Sequence, residues 1–144
     1  MKLGIVGSRL RFWKPELANN RAKAQEFVNK KLDAMHQRKK ITEVVSGGEP
    51  TGADTFAENW ANSRGIPTKI YKPDPRLIRE RGFGIAAFTR NKDIAIRADK
   101  VVAFWGTEKG IPTKGTGNTL TIAKELGKNT SFFEVNIGSY PRRK

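Results

Sequence analysis

The chain has no cysteine and a single histidine, His36. Without cysteine there can be no disulfide scaffold, thiol nucleophile or cysteine-based zinc site. One histidine, set in the polar run Gln37-Arg38-Lys39-Lys40, is a poor general base and reads as a solvated helix end. No apolar stretch approaches the roughly 20 residues of a membrane span. The opening Met1-Lys2-Leu3-Gly4-Ile5-Val6-Gly7 has too short an apolar run for a secretory signal. These absences predict a cytoplasmic protein with no membrane partner, no metal site and no cofactor. Acidic residues are also scarce: 14 Asp and Glu against 28 Lys and Arg give a formal net charge of +14. An excess of that size points to an anionic partner such as nucleic acid or a nucleotide.

What remains is 144 residues, 37% of them hydrophobic, enough for one domain with a real core. We expect that domain over residues 1–137, followed by a basic tail over 138–144 that carries Arg142 and Arg143. Apolar runs at Leu3–Val6, Ile41–Val45, Thr68–Tyr71, Lys100–Trp105 and Ser131–Val135 read as buried strands. Between them lie helical stripes. Asn19 or Asn20 caps one reaching Arg38, and Thr51 or Asp54 opens another that runs through Ser63. Two more cover Ile85–Ala98 and Leu120–Leu126. Residues 9–18 read as irregular, Pro73-Asp74-Pro75 as the start of a loop, and Gly106–Gly117 as a flexible loop. Alternating strands and helices predict an α/β three-layer sandwich: a mainly parallel sheet of five strands with helices on both faces. Ligands of such sheets bind outside the carboxyl ends of the strands.

Three strand ends carry small or polar residues: Gly7-Ser8-Arg9; Ser46-Gly47-Gly48 with Thr51, Gly52 and Asp54; and Gly106 followed by Gly115-Thr116-Gly117-Asn118. Glycine lets backbone amides approach an anion, and a helix N-terminus adds unpaired donors, so three such loops on one edge predict a phosphate pocket. Arg90, beside Asn91, offers a guanidinium fork for phosphate or carboxylate, or is a surface arginine. Asp54 either binds ribose or caps a helix. Neither a Gly-x-Gly-x-x-Gly nor a P-loop pattern occurs at these turns. Trp13 with Phe12 among basic residues, Lys30 and Lys31 on the first long helix, and Lys39 and Lys40 just past it are candidate nucleic-acid contacts.

Taken in order, Gly4-Ile5-Val6-Gly7-Ser8-Arg9, Ser46-Gly47-Gly48 with Gly52-Ala53-Asp54, Arg90-Asn91 and Gly115-Thr116-Gly117-Asn118-Thr119 resemble the SLOG superfamily over roughly residues 3–135. The likeness is to small YspA-type SLOG proteins and the core of the DprA/Smf group, and more distantly to LOG-type phosphoribohydrolases. It implies a Rossmann-like fold that binds a nucleotide or nucleotide-derived molecule. Phosphate would lie on Gly47, Gly48 and the 115–119 turn, countered by Arg9 and Arg90, with Asp54 near the sugar or organising its loop. It also implies a homodimer. Two other readings stay open: a DprA-like binder of single-stranded DNA or RNA, and a nucleotide hydrolase such as a nucleoside 5′-monophosphate N-glycosidase. Against the last, Thr119 stands where the LOG-type pattern has its glutamate, and threonine cannot act as a carboxylate acid or base. No catalytic residue is assigned.

Overall fold

The computed structural model describes residues 1–10, 13–50, 52–105 and 114–135. Their strands are β1 (Lys2–Gly7), β2 (Glu43–Ser46), β3 (Thr68–Ile70), β4 (Lys100–Trp105) and β5 (Asn129–Glu134). Their helices are α1 (Pro15–Ala18), α2 (Arg21–Arg38), α3 (Ala53–Ser63), α4 (Pro75–Arg81), α5 (Phe83–Arg97) and α6 (Lys114–Glu125). The strands form one five-stranded sheet in the order β3-β2-β1-β4-β5, and every pairing is parallel. The chain builds outward from β1 to β3, then returns to place β4 on the other side of β1. The point where the order reverses therefore lies between β1 and β4, which is where this architecture opens a crevice.

Side chains that alternate along each strand divide the core into two layers. Leu3, Ile5, Val102 and Phe104 point to the face covered by α2 and α3, with Val28, Leu32, Phe56 and Trp60. Val6, Val101 and Ala103 point to the face covered by α5 and α6, with Ala95, Leu120 and Ala123. The predicted α/β sandwich with helices on both faces is the observed fold.

Four local expectations need correction. First, residues 9–18 are not wholly irregular, since Pro15 opens α1 at its first position. Second, Pro73-Asp74-Pro75 starts a helix. The Asp74 side chain caps α4 by accepting from the Arg76 amide at 2.9 Å, and Pro75 occupies a first-turn position where its missing N–H costs nothing. Third, α6 begins at Lys114, inside the stretch read as a loop. Its early Gly and Thr residues are poor helix formers, but Thr116, Thr119, Leu120 and Ala123 are all buried against the rest of the fold. Tertiary packing outweighs that propensity. Fourth, His36 is not a solvated end. Its Nδ1 accepts the Ile41 amide at 2.9 Å, and its ring meets Trp60 edge-on at 5.6 Å.

Candidate functional site

A cleft of about 370 Å³ opens at the carboxyl edge of the sheet, beside the β1/β4 reversal. Gly7 ends β1 and Ser8 and Arg9 follow it, Gly47 and Glu49 follow β2, and Asp54 comes from the first turn of α3. Phe83, Ala87, Arg90, Asn91 and Ile94 line it from α5, and Thr116 and Thr119 from the first half of α6.

Close approach explains the glycine that ends β1. A Cβ on Gly7 would lie 2.7 Å from the Phe104 carbonyl oxygen and 2.8 Å from the Ala53 Cβ, so only glycine lets the end of β1 lie this close to both β4 and α3. The turn after β2 has a different need. Gly48 has φ +72°, and a Cβ there would lie 2.8 Å from the Ile70 Cγ2. An antiparallel bridge between Arg9 and Gly52 joins the loops after β1 and β2. Arg9, an exposed residue, reaches Glu49 at 4.0 Å, a loose contact of little energetic weight.

Asp54 organises the loop after β2. Its Oδ2 accepts the Gly47 amide at 3.2 Å and the Glu49 amide at 3.0 Å. The carboxyl is buried, and desolvation pushes its pKa from 3.8 to about 7. Those two amide bonds and Arg90 pull the value down, while the charge of Glu58 pushes it up. A carboxyl that changes charge near neutral pH thus sits in the cleft wall. Ser46 is tied into the same loop: its hydroxyl donates to Glu58 at 2.7 Å and accepts the Gly48 amide at 3.3 Å.

Arg90 lies in the middle of α5. Its guanidinium donates to the Gly47 carbonyl at 3.1 Å, the Tyr71 carbonyl at 3.5 Å and the Asn91 Oδ1 at 2.9 Å. The Asn91 amide in turn donates to the Asn118 Oδ1 at 3.2 Å. Arg90 and Asn91 therefore tie the ends of β2 and β3 to α5 and α6. Arg90 carries positive charge into the cleft and also holds the cleft's shape.

The structure brings together Gly7, Ser8, Arg9, Gly47, Asp54, Arg90, Asn91 and Thr116 around one space. Gly117 and Asn118 occupy early positions of α6 instead of a preceding turn, and Gly115 is part of that helix too. Thr51, Gly106, Arg142 and Arg143 lie outside the described residues. Trp13 moves from candidate contact to core. It is buried, stacks on Phe104 at 6.2 Å, packs on Phe56 at 5.7 Å and donates to the Ser8 carbonyl at 3.1 Å. Its apolar bulk fills the space between the sheet and α3, so it offers no face to a nucleic acid.

The lysines of α2, and Lys39 and Lys40 after it, also lie away from the cleft. Lys31 rests over the Phe27 and Phe133 rings. Lys39 and Lys40 sit at the amino edge, where the N-terminal amine donates to the Lys40 carbonyl at 2.8 Å. Sequence reasoning missed Phe83, Ala87 and Ile94, although their spacing with Arg90 and Asn91 marks one helical face. It also missed Glu58, one helical turn beyond Asp54.

Among the described residues, no helix is long and apolar enough to cross a membrane, and no cluster of His, Asp or Glu could hold a metal ion. Comparison with curated proteins gives no match. The crystal structure of DNA processing protein A (DprA) from Streptococcus pneumoniae is similar to 95% of this chain, with a TM-score of 0.66 at 18% sequence identity. The similarity takes in 51% of that protein, so the chain spans about half its length, and at this identity the likeness is one of fold. Residues 18–77, which run from the end of α1 to the start of α4, match the model of the YspA, cpYpsA-related SLOG family, and in that segment the chain is similar to this family.

Proposed function

We propose that the protein binds a nucleotide or nucleotide-derived ligand in the carboxyl-edge cleft. One observation carries the reading: the ends of β1 and β2, the cationic Arg90 and the first turns of α3 and α6 converge on one cleft at the sheet's reversal point. Helix N-termini and a guanidinium together favour phosphate. The family match over residues 18–77 supports the same class of ligand.

Isothermal titration with nucleoside mono- and diphosphates tests it. Saturable binding is expected, weakened about tenfold or more in Arg90→Ala, the scale of one lost charge-assisted hydrogen bond. Melting curves establish that the variant remains folded. Absence of binding across the set overturns the reading.

A second reading is binding of single-stranded nucleic acid. Exposed Lys69, Lys72, Arg76, Arg79 and Arg81 follow one another along β3, the segment after it and α4. Lys72 packs beside the cleft turn, 3.3 Å from where a Gly48 Cβ would stand. The similar fold is that of a DNA processing protein. Fluorescence anisotropy with a single-stranded oligonucleotide over a salt series tests it. Neutralisation of phosphates by this strip predicts that log affinity falls linearly with log salt, by about 0.7 per phosphate engaged. A flat response excludes this mode.

A further inference from the structure

Phe83 is the least buried of the large apolar residues among those described, at 62% exposure, yet it lines the cleft. Its sequence setting is Gly82-Phe83-Gly84. Apart from adjoining residues and the helix's own backbone, no atom comes within 4 Å of where a Cβ would be at either glycine, so both positions flanking the ring face open space. Gly82 also adopts φ +92°, which breaks the chain cleanly between α4 and α5 and puts Phe83 first in α5.

The helical repeat decides which way Phe83 belongs. Phe83, Ala87, Arg90, Asn91 and Ile94 follow the spacing of one helix face, and all five line the cleft. Exposed Ile85, Phe88 and Ile96 stand about 140 to 220 degrees around α5 from Phe83, at about 100 degrees per residue. Phe83 therefore belongs to the cleft face and not to that outer apolar stripe. One turn further along, Ala87 is small. Two turns along, at roughly 10 Å for about 1.5 Å per residue, Arg90 brings a positive charge into the cleft. The α5 face thus runs from an open aromatic ring, across a small residue, to a guanidinium. A planar base joined through a sugar to a phosphate has the same order of chemistry.

We propose that Phe83 is the platform on which the aromatic base of the ligand stacks, so the site selects nucleotides over sugar phosphates. The inference deepens the nucleotide reading and rests on it. An aromatic face stacks on any base, so the platform distinguishes a base from no base more than it distinguishes one base from another.

Titrations of the full chain with AMP, UMP and ribose 5-phosphate test the proposal in wild type, Phe83→Ala, Phe83→Leu and Phe83→Trp. Stacking is worth enough that Phe83→Ala is expected to lose about tenfold or more in affinity for both nucleotides. Phe83→Leu keeps the apolar bulk and is expected to lose nearly as much, whereas Phe83→Trp holds or gains. Ribose 5-phosphate affinity is expected to be the same in all four proteins. Unchanged nucleotide affinity in Phe83→Ala overturns the platform, and so does an equal loss for ribose 5-phosphate, which marks a role in shaping the cleft. Failure of wild type to bind any of the three overturns the nucleotide reading itself, and the platform with it.

Discussion

Replacing Trp13 with alanine is expected to destabilise the protein by about 3–5 kcal/mol, the usual cost of deleting a large buried aromatic. The indole is 3% exposed and wedged between Phe104 of β4 and Phe56 of α3. Its removal leaves a cavity that the parallel sheet and α3 close only in part. It also removes the N–H donor to the Ser8 carbonyl, which belongs to the first loop of the cleft. Urea unfolding followed by circular dichroism reads the loss directly. In a domain of this size it corresponds to a fall in Tm of roughly 10–20 °C. Trp13→Phe keeps most of the apolar bulk and is expected to cost about 1–2 kcal/mol, mainly for the lost hydrogen bond and incomplete filling. A loss below about 1 kcal/mol for the alanine variant would contradict the buried placement and return Trp13 to the list of surface contacts.

The second large effect is a fall in stability between pH 5 and pH 8, carried by Asp54. Its folded pKa of about 7 lies above the ordinary 3.8, so between these values the native state holds a proton that the unfolded state has released. Stability then falls as pH rises through the window, and the full penalty is reached above the folded value. The whole span from 3.8 to 7 corresponds to an effect of the order of 4 kcal/mol, of which somewhat over half falls between pH 5 and pH 8. Asp33, Glu43 and Asp99 act in the opposite sense. Arg64 and Arg97 lower the first two, and the Lys2 amide lowers Asp99. Their stabilisation is present above the ordinary carboxylate range and is lost on acidification below it, outside the pH 5–8 window.

Asp54→Asn keeps an oxygen to accept the Gly47 and Glu49 amides while removing the buried charge. Its stability is expected to be nearly flat where the wild type declines. Parallel profiles for the two proteins would locate the titration elsewhere. The same linkage bears on the proposed ligand. An ionised Asp54 in the cleft wall repels phosphate, so nucleotide affinity in wild type should weaken from pH 6 to pH 8, and less so in Asp54→Asn.

Much of this protein was legible in its sequence. Short apolar runs separated by amphipathic stripes determined a parallel α/β sheet, because strands buried on both faces admit few polar residues. The glycine-bearing strand ends marked the edge where the cleft opens. Asn20 fixed the start of α2 through its side chain, which accepts the Lys23 amide at 3.2 Å. These features follow from local backbone and capping chemistry, which a sequence carries directly.

Only tertiary structure could decide the rest. Trp13 is a core residue because Phe104 and Phe56, distant in sequence, enclose it. Asp54 titrates near neutrality because the fold strips its water and sets Glu58 beside it. Arg90 ties the ends of β2 and β3 to α5 because the sheet order brings 43 and 19 residues of separation into contact. Phe83 faces the cleft because α5 crosses there at one particular rotation. The scarcity of acidic residues pointed to an anionic partner. The fold divides the resulting positive charge, placing Arg90 in the cleft, Lys72 at its border and Lys39 and Lys40 at the opposite edge of the sheet. Composition fixes the sum of the charge, but the path of the chain fixes where each charge stands.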